Sequence, residues 1–318
     1  MLTLEEIEDA RTTLRPYLPP TPLRPSYISG MSDVFLKLEC WQPTGSFKVR
    51  GALNALRSGR AVPVVAASAG NHALGVAWAA AAIAYPAPVT LFVPATAPRA
   101  KREKLASASV RLVVGGETYD EAHSAALRHA TATGGRMIHA FDDPLVAAGQ
   151  GTVALEVLEQ LPDVATVVCP VGGGGLISGL AVAIKAKRPK TRIVAVQPDA
   201  SPALRLSLAA GYPILEYPAG PTLADGLAGG IGEILWEHRH LVDAVVDVPE
   251  AAIEGAIVSL LSHDQVLAEA SGAIGVAALR AGLIPRDGRP TAVVVTGSNL
   301  DVSALARLLD ASREKDPG

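Results

Sequence analysis

The chain has 318 residues, 49% of them apolar and 19% charged, with a net charge of −3. That is longer than one ~100–200-residue domain usually runs, so one large domain with an insert, or two lobes with a cleft, is expected. The weak negative charge gives no basic footprint for nucleic acid or an acidic membrane surface. The only two cysteines, Cys40 and Cys169, exclude a disulfide framework or a zinc-ligand spacing and read as buried thiols.

The chain opens on MLTLEEIEDARTTLRPYL, an amphipathic stretch in which Thr3 and Glu6 form a capping-box pair at a helix start. It lacks the basic and apolar regions of a signal peptide. From Ala73 to Pro98 no residue is charged, which is long enough to raise the question of a membrane span. Alanine dominates its first half, and Pro86, Pro88 and Pro94 interrupt it, so a buried helix followed by a buried strand is the better reading. A soluble cytoplasmic protein is expected.

Apolar, β-branched runs predict strands covered on both faces at Val34–Leu38, Val64–Ala67, Val89–Val93, Arg111–Val114, Val164–Cys169, Arg192–Val196, Ala244–Val248 and Ala292–Thr296. Helical periodicity marks Gly75–Ala84, Tyr119–Thr131, Thr152–Gln160, Leu176–Ala186, Glu250–Leu261 and Val302–Asp310. Alternating strands and helices indicate an α/β fold with parallel sheets. Ligands in such folds bind outside the carboxyl ends of the strands, so strand-to-helix loops are where function is sought. The final SREKDPG reads as a frayed tail.

Three segments carry chemistry. Gly172, Gly173, Gly174 and Gly175, followed by Leu176, join a strand to a helix; such a turn lets backbone N–H groups and a helix N-terminus face a phosphate. No Gly-Lys-Ser/Thr follows, so this is not a nucleotide P-loop. Gly173, Gly175 and Gly179 loosely match a dinucleotide fingerprint with Asp199 about 20 residues on, which keeps an NAD-dependent dehydrogenase as a rival. The loop Ser68-Ala69-Gly70-Asn71-His72 offers hydroxyl, amide and imidazole groups at a helix start, suited to a carboxylate or to plain N-capping by Ser68 or Asn71. Lys48, in PTGSFKVRGA, has mostly small or apolar neighbours; a poorly solvated lysine loses its charge readily, as Schiff-base chemistry requires.

Together TGSFKVRGA, SAGNHALGVA, DDPLVAAGQGTVALEVLEQ, PVGGGGLISGLA, TLADGLAG and TGSNLD make the chain resemble the fold type II pyridoxal-phosphate enzymes, in their threonine/serine dehydratase and serine racemase branch. The resemblance implies a two-lobed, tryptophan synthase β-like architecture, with a large domain of residues 1–54 and 143–318 and a small one of 55–142. It implies pyridoxal 5'-phosphate held by Lys48 as a Schiff base, Phe47 beside the ring, and Asn71 on the ring hydroxyl. Gly172 to Gly175 and Leu176 would take the phosphate, Thr296 the pyridine nitrogen, and Ser68, Gly70, Asn71 and His72 the substrate carboxylate. The implied reaction is loss of water and ammonia from a small 3-hydroxy amino acid such as L-threonine or L-serine. Lys48 would serve as the base, and the cofactor phosphate would protonate the leaving hydroxyl. A hydroxyl at Thr296 would temper the electron sink relative to an aspartate. A homodimer is the family's common assembly. A racemase, or a dehydratase of 3-hydroxyaspartate or a 3-aryl serine, is the alternative on the same scaffold.

The sequence departs from the family pattern at three places. Ala69 stands where serine racemases carry a proton-donating serine, which favours elimination over racemisation. Gln197 and Ala203 replace acidic positions of a divalent-cation site, so no Mg²⁺ or Ca²⁺ is expected there. Only a helix follows TGSNLD, so feedback through a C-terminal regulatory domain is not expected. The loop His139-Ala140-Phe141-Asp142-Asp143 is placed near the cleft, as a substrate-tuning segment or as a turn into a helix. Glu269 lies in a loop (AEASGA) matching one near the family's cofactor, with no role assigned, and His238 and His240 read as solvated.

Overall fold

The computed structural model describes residues 1–97 and 110–315, and between them only Glu103, Leu105, Ala106 and Ala108. Helix α1 spans Leu4–Leu14, and its capping box is present: Thr3 Oγ1 accepts from the Glu6 N–H, and Glu6 Oε2 accepts from the Thr3 N–H. Then come β1 (Leu23–Pro25), β2 (Val34–Lys37), α2 (Lys48–Ser58), β3 (Val64–Ala67), α3 (Asn71–Ala82), β4 (Val89–Val93) and β5 (Arg111–Val114). Next are α4 (Tyr119–Thr133), β6 (Arg136–Met137), α5 (Pro144–Gln160), β7 (Thr166–Pro170), α6 (Gly175–Lys187) and β8 (Arg192–Pro198). The chain continues through α7 (Ala203–Ala210), α8 (Glu233–His238), β9 (Ala244–Val248), α9 (Glu250–Ser259), α10 (Ala270–Arg280), β10 (Thr291–Val294) and α11 (Val302–Lys315).

Two sheets form. The larger runs β1-β2-β10-β7-β8-β9, parallel except for β1, with Thr291 in register with both Val34 and Thr166. The smaller runs β5-β4-β3-β6 and is parallel throughout. Side-chain alternation divides the core of the larger sheet. Val167 and Ile193 face a layer with Ile7, Ala154 and Leu180 from α1, α5 and α6, while Val168 and Val194 face Ile253 and Ile274 from α9 and α10. The smaller sheet packs Val64 and Leu91 on Val49, Leu53 and Val76, and its other face packs Val65 and Phe92 on Ala126 and Ala130.

The structure changes several expectations. β5 is not covered on both faces: Arg111 and Val114 are exposed because β5 is an edge strand. β9, at the edge of the larger sheet, is likewise only half-buried over most of its length. α5 begins eight residues before Thr152, at Pro144, because Asp143 Oδ1 caps the Leu145 and Val146 N–H groups and proline suits the first helical position. α11 runs to Lys315, so most of the expected frayed tail is helical; residues 316–318 lie outside the described residues, as does Pro98 of the uncharged run. The rest of that run contains most of α3 and all of β4. Among the described residues no helix is long and apolar enough to cross a membrane. Both cysteines are buried, and burial raises their thiol pKa, for Cys40 to about 12.

Candidate functional site

Lys48 is the first residue of α2, placed there by the end of β10. The Phe47 N–H donates to the Thr296 carbonyl at 3.1 Å, and Ser46 bridges to Gly297. Lys48 Nζ donates to the Ala140 carbonyl at 2.9 Å and lies 5.1 Å from the Phe47 ring centroid. The side chain is half-buried; desolvation of its amine brings the pKa down to about 8, against the opposing pull of the Glu269 carboxylate.

The loop after β7 carries the four glycines. Cβ atoms added to them would meet Leu227 Cα at 2.9 Å from Gly172, the Phe141 ring at 2.2 Å from Gly173, Leu235 at 2.4 Å from Gly174, and the Phe141 carbonyl at 2.6 Å from Gly175. Gly174 also has φ +96°, a conformation that favours glycine. Crowding by protein neighbours thus requires the glycines, and it holds the turn in one shape. Among the described residues no group accepts from the backbone N–H groups of Gly172 to Leu176. The turn is therefore a set of uncommitted donors at a helix N-terminus, the form of an anion cradle.

The loop after β3 behaves differently from expectation. Neither Ser68 nor Asn71 caps α3: the N-cap is Gly70, and among the described residues no side chain caps the first turn. Ser68 Oγ accepts from the Gly70 N–H at 3.1 Å. Asn71 Nδ2 donates to Glu269 Oε1, and Asn71 Oδ1 accepts from Asn299 Nδ2, both at 2.7 Å. The His72 imidazole is not presented to a ligand. It is buried, and Nε2 donates to the Ile138 carbonyl at 3.0 Å. Burial, then the nearby Lys48 charge, lower its pKa to about 3, so it is neutral, with Nδ1 a buried acceptor lacking a partner among the described residues.

Thr296 is buried, and its hydroxyl donates to the Ser271 carbonyl at 3.2 Å. The segment His139–Asp143 forms the turn into α5 and also lies beside Lys48. Asp143 caps α5, while Ala140 holds Lys48 and Phe141 lies against the glycine turn. His139 Nδ1 accepts from the Asp142 N–H at 2.9 Å, and burial lowers its pKa. Loops at the carboxyl ends of β3, β7 and β10 are thus brought together, linked by Ala140–Phe141 and by Glu269. Asp199 is exposed, and Gly179 sits where α6 touches α5, its added Cβ 2.3 Å from the Ala147 carbonyl. The dinucleotide pattern therefore reflects helix packing at its third glycine.

Away from this cluster, His238 is buried rather than solvated, because its Nδ1 donates to the Ile234 carbonyl at 2.8 Å inside α8; His240 is exposed. Gln197 Nε2 donates to Asp247 Oδ1 at 2.7 Å, and its Oε1 accepts from the Leu204 N–H, so the amide is engaged on both sides. Sequence reasoning missed a buried charge network next to Lys48. Arg50 reaches Glu39 at 2.8 Å and Glu156 at 2.6 Å, and Lys37 reaches Glu156 at 2.5 Å. Its only signal was charged residues inside otherwise apolar runs. Asn299 was visible in TGSNLD but had no assigned task.

A parallel-sheet α/β protein with a desolvated lysine beside an open N–H cradle defines a class: proteins that present a reactive amine next to an anion site. The chain belongs to the pyridoxal-phosphate dependent enzyme family, whose profile matches residues 14–297. It is 44% identical to the L-threonine ammonia-lyase of Thermotoga maritima over 98% of this chain and 79% of that one. It is 41% identical to the L-threonine ammonia-lyase of Geobacter sulfurreducens over 87% and 70%. Among solved structures, maize serine racemase superposes with TM-score 0.89 at 32% identity, covering 100% of this chain and 99% of that one. A threonine deaminase from tomato, Solanum lycopersicum, superposes in its processed form with TM-score 0.87 at 30% identity, covering 96% and 87%. The residues present fit the family's cofactor: a phosphate suits the unpaired N–H groups at 172–176, and an aldehyde suits the poorly solvated amine of Lys48.

Proposed function

We propose that this chain is a lyase that converts a small 3-hydroxy amino acid, L-threonine or L-serine, to a 2-oxo acid and ammonia. The observation that carries the reading is the Lys48 amine, desolvated and bonded, among the described residues, only to a neutral carbonyl. Similarity to two L-threonine ammonia-lyases supports the substrate class. Lys48 and Phe47 would hold pyridoxal phosphate together with Asn71, Thr296 and the N–H groups of Gly172, Gly173, Gly174, Gly175 and Leu176. Bound there, the cofactor supplies an aldehyde that condenses with primary amines and a ring that draws electron density from the substrate Cα.

The chain's own residues do the rest. With its pKa brought down to about 8, Lys48 has a far larger neutral fraction at neutral pH than an ordinary lysine, so Nζ can take the Cα proton as general base. The uncapped first turn of α3 offers backbone N–H groups to the substrate carboxylate, and Ser68 offers its hydroxyl. Asn71 and His72 contribute there through their main chain, since the imidazole donates to Ile138 and the amide is engaged by Glu269 and Asn299. The Ala69 methyl group can carry no proton, which separates this reading from a racemase that delivers one from that position. The same reading takes residues 55–142 as a small domain inserted in a large one, and the protein as a cytoplasmic homodimer.

The test is direct. Full-length protein saturated with pyridoxal phosphate should gain a visible absorption band, and borohydride should remove it and leave the added mass on Lys48. L-threonine and L-serine should then yield 2-oxo acid and ammonia in equal amounts. A blank spectrum, or an adduct on another residue, sinks the proposal.

A further inference from the structure

Asn71 is gripped from two sides. Its Nδ2 donates to Glu269 Oε1, and its Oδ1 accepts from Asn299 Nδ2, both at 2.7 Å. Asn299 Nδ2 also donates to the Thr44 carbonyl at 2.8 Å, four residues before Lys48. The Glu269 N–H donates to the Gly297 carbonyl at 3.0 Å, and its carboxylate lies over that glycine. A Cβ added to Gly297 would be 2.2 Å from Glu269 Oε1 and 3.3 Å from Asn71 Nδ2. Glu269 is the N-cap residue of α10, yet its side chain makes no capping bond to that helix. It reaches across to α3 instead.

Only one amide orientation satisfies these partners. Turning the Asn71 amide over would set its carbonyl oxygen against a carboxylate and its NH₂ against the Asn299 NH₂, two repulsive contacts in place of two bonds. We propose that Glu269 and Asn299 are positioning residues that lock the Asn71 amide with Nδ2 as its donor end, leaving one Nδ2 hydrogen to give to a ligand. A carboxylate acceptor makes the grip a charge-assisted bond, stronger than a neutral one. The inference rests on the reading of Lys48 and Asn71 as cofactor-holding residues.

Glu269 also has a second, electrostatic effect. Its charge raises the Lys48 pKa against desolvation. Among the described residues, the other titratable groups shown to interact with Lys48 are His72 and His139, and burial holds both toward the neutral form. Glu269 is thus the anion that opposes loss of the lysine's proton.

The experiment compares full-length wild type with Glu269→Gln, Glu269→Ala and Asn299→Ala. Two quantities are read: the affinity for pyridoxal phosphate, and, in cofactor-free protein, the pH midpoint of Lys48 acylation by acetic anhydride followed by mass spectrometry. Glu269→Gln keeps an acceptor for Asn71 but no charge. Its labelling midpoint should move to lower pH while affinity stays within about threefold of wild type, under ~1 kcal/mol. Glu269→Ala and Asn299→Ala free the amide to turn, so affinity should fall about tenfold, the size of one lost hydrogen bond. Asn299→Ala should leave the labelling midpoint in place. A purely structural role would not move the midpoint. An unmoved midpoint in Glu269→Gln, or unchanged affinity in Glu269→Ala and Asn299→Ala, overturns the proposal. The near-isosteric Glu269→Gln carries the test if the alanine variants do not fold. Failure of the parent reading looks different: wild type itself would then form no adduct at Lys48.

Discussion

Lys37 and Lys48 lie eleven positions apart, and both have desolvated amines, yet one is bonded to a carboxylate and the other to a carbonyl. Lys37, at the end of β2, is 0% exposed and gives its three hydrogens to Glu156, Gln160 and the Thr21 carbonyl. Burial lowers its pKa, and Glu156 and Glu39 pull back toward the charged form. The network around it is neutral: Lys37 and Arg50 against Glu39 and Glu156, with Thr152 taking a further Arg50 N–H. Among the described residues Lys48 has one neutral carbonyl and no carboxylate bonded to it. Desolvation pushes both amines toward the neutral form, and their partners then set whether each stays a structural cation or becomes a reactive base. Arg50 joins the two regions, since it sits in the first turn of α2 behind Lys48.

Exchanging each lysine for methionine should break this symmetry most widely. Lys37→Met leaves buried carboxylate uncompensated and should cost about 3–5 kcal/mol, read by urea unfolding. Its folded fraction should still form the adduct at Lys48. Lys48→Met should change stability by no more than about 1 kcal/mol, while turnover falls by about 10²–10⁴-fold and the adduct disappears. Loss of the adduct in Lys37→Met at wild-type stability would show that the two lysines share one task.

The pH dependence sharpens the same contrast. The neutral amine is the reactive form, so the rate of cofactor capture should rise with pH through a midpoint near 8 for Lys48, well below the ordinary lysine value. A midpoint at the ordinary lysine value, in stopped-flow absorbance, would show that the amine is solvated.

Two smaller effects probe the walls around Lys48. Gly173→Ala must displace the Phe141 ring, at a cost of about 1–3 kcal/mol, and should weaken pyridoxal phosphate binding in a titration. Wild-type affinity would mean that the glycine turn is not the anchor. Ala69→Ser should raise the ratio of racemisation to elimination, scored by chiral analysis of serine products. An unchanged ratio would remove position 69 from the proton path.

Much of this was legible in order along the chain. β3, β4, β5 and β9 have the ends that their β-branched runs indicate, and the capping box starts α1 where Thr3 and Glu6 place it. The glycine turn and Lys48 were visible as motifs because backbone freedom and an amine among small residues are local properties. α2 and α10 were not read as helices. α2 begins without a side-chain cap to mark its start, and Ala270–Arg280 is buried on nearly every side, so it shows no polar face. The start of α5 was obscured by Gly149 and Gly151, glycines that let α2 and α6 approach closely: added Cβ atoms would lie 2.7 Å from the Arg50 carbonyl and 2.9 Å from the Gly179 carbonyl.

Sequence alone determined the α/β class, the family resemblance, and the lysine and glycine turn on which the proposed chemistry rests, because strand propensity, helix caps and glycine conformation act over a few residues. Only the tertiary structure decided which polar groups are spent and which remain available. The His72 imidazole is committed to Ile138, the Asn71 amide is set by Glu269 and Asn299 from more than 190 positions away, and the Arg50 charge is consumed by Glu39 and Glu156. Hydrogen bonds and charge pairs inside a protein depend on distances between segments remote in the chain, and those distances exist only once both sheets have packed.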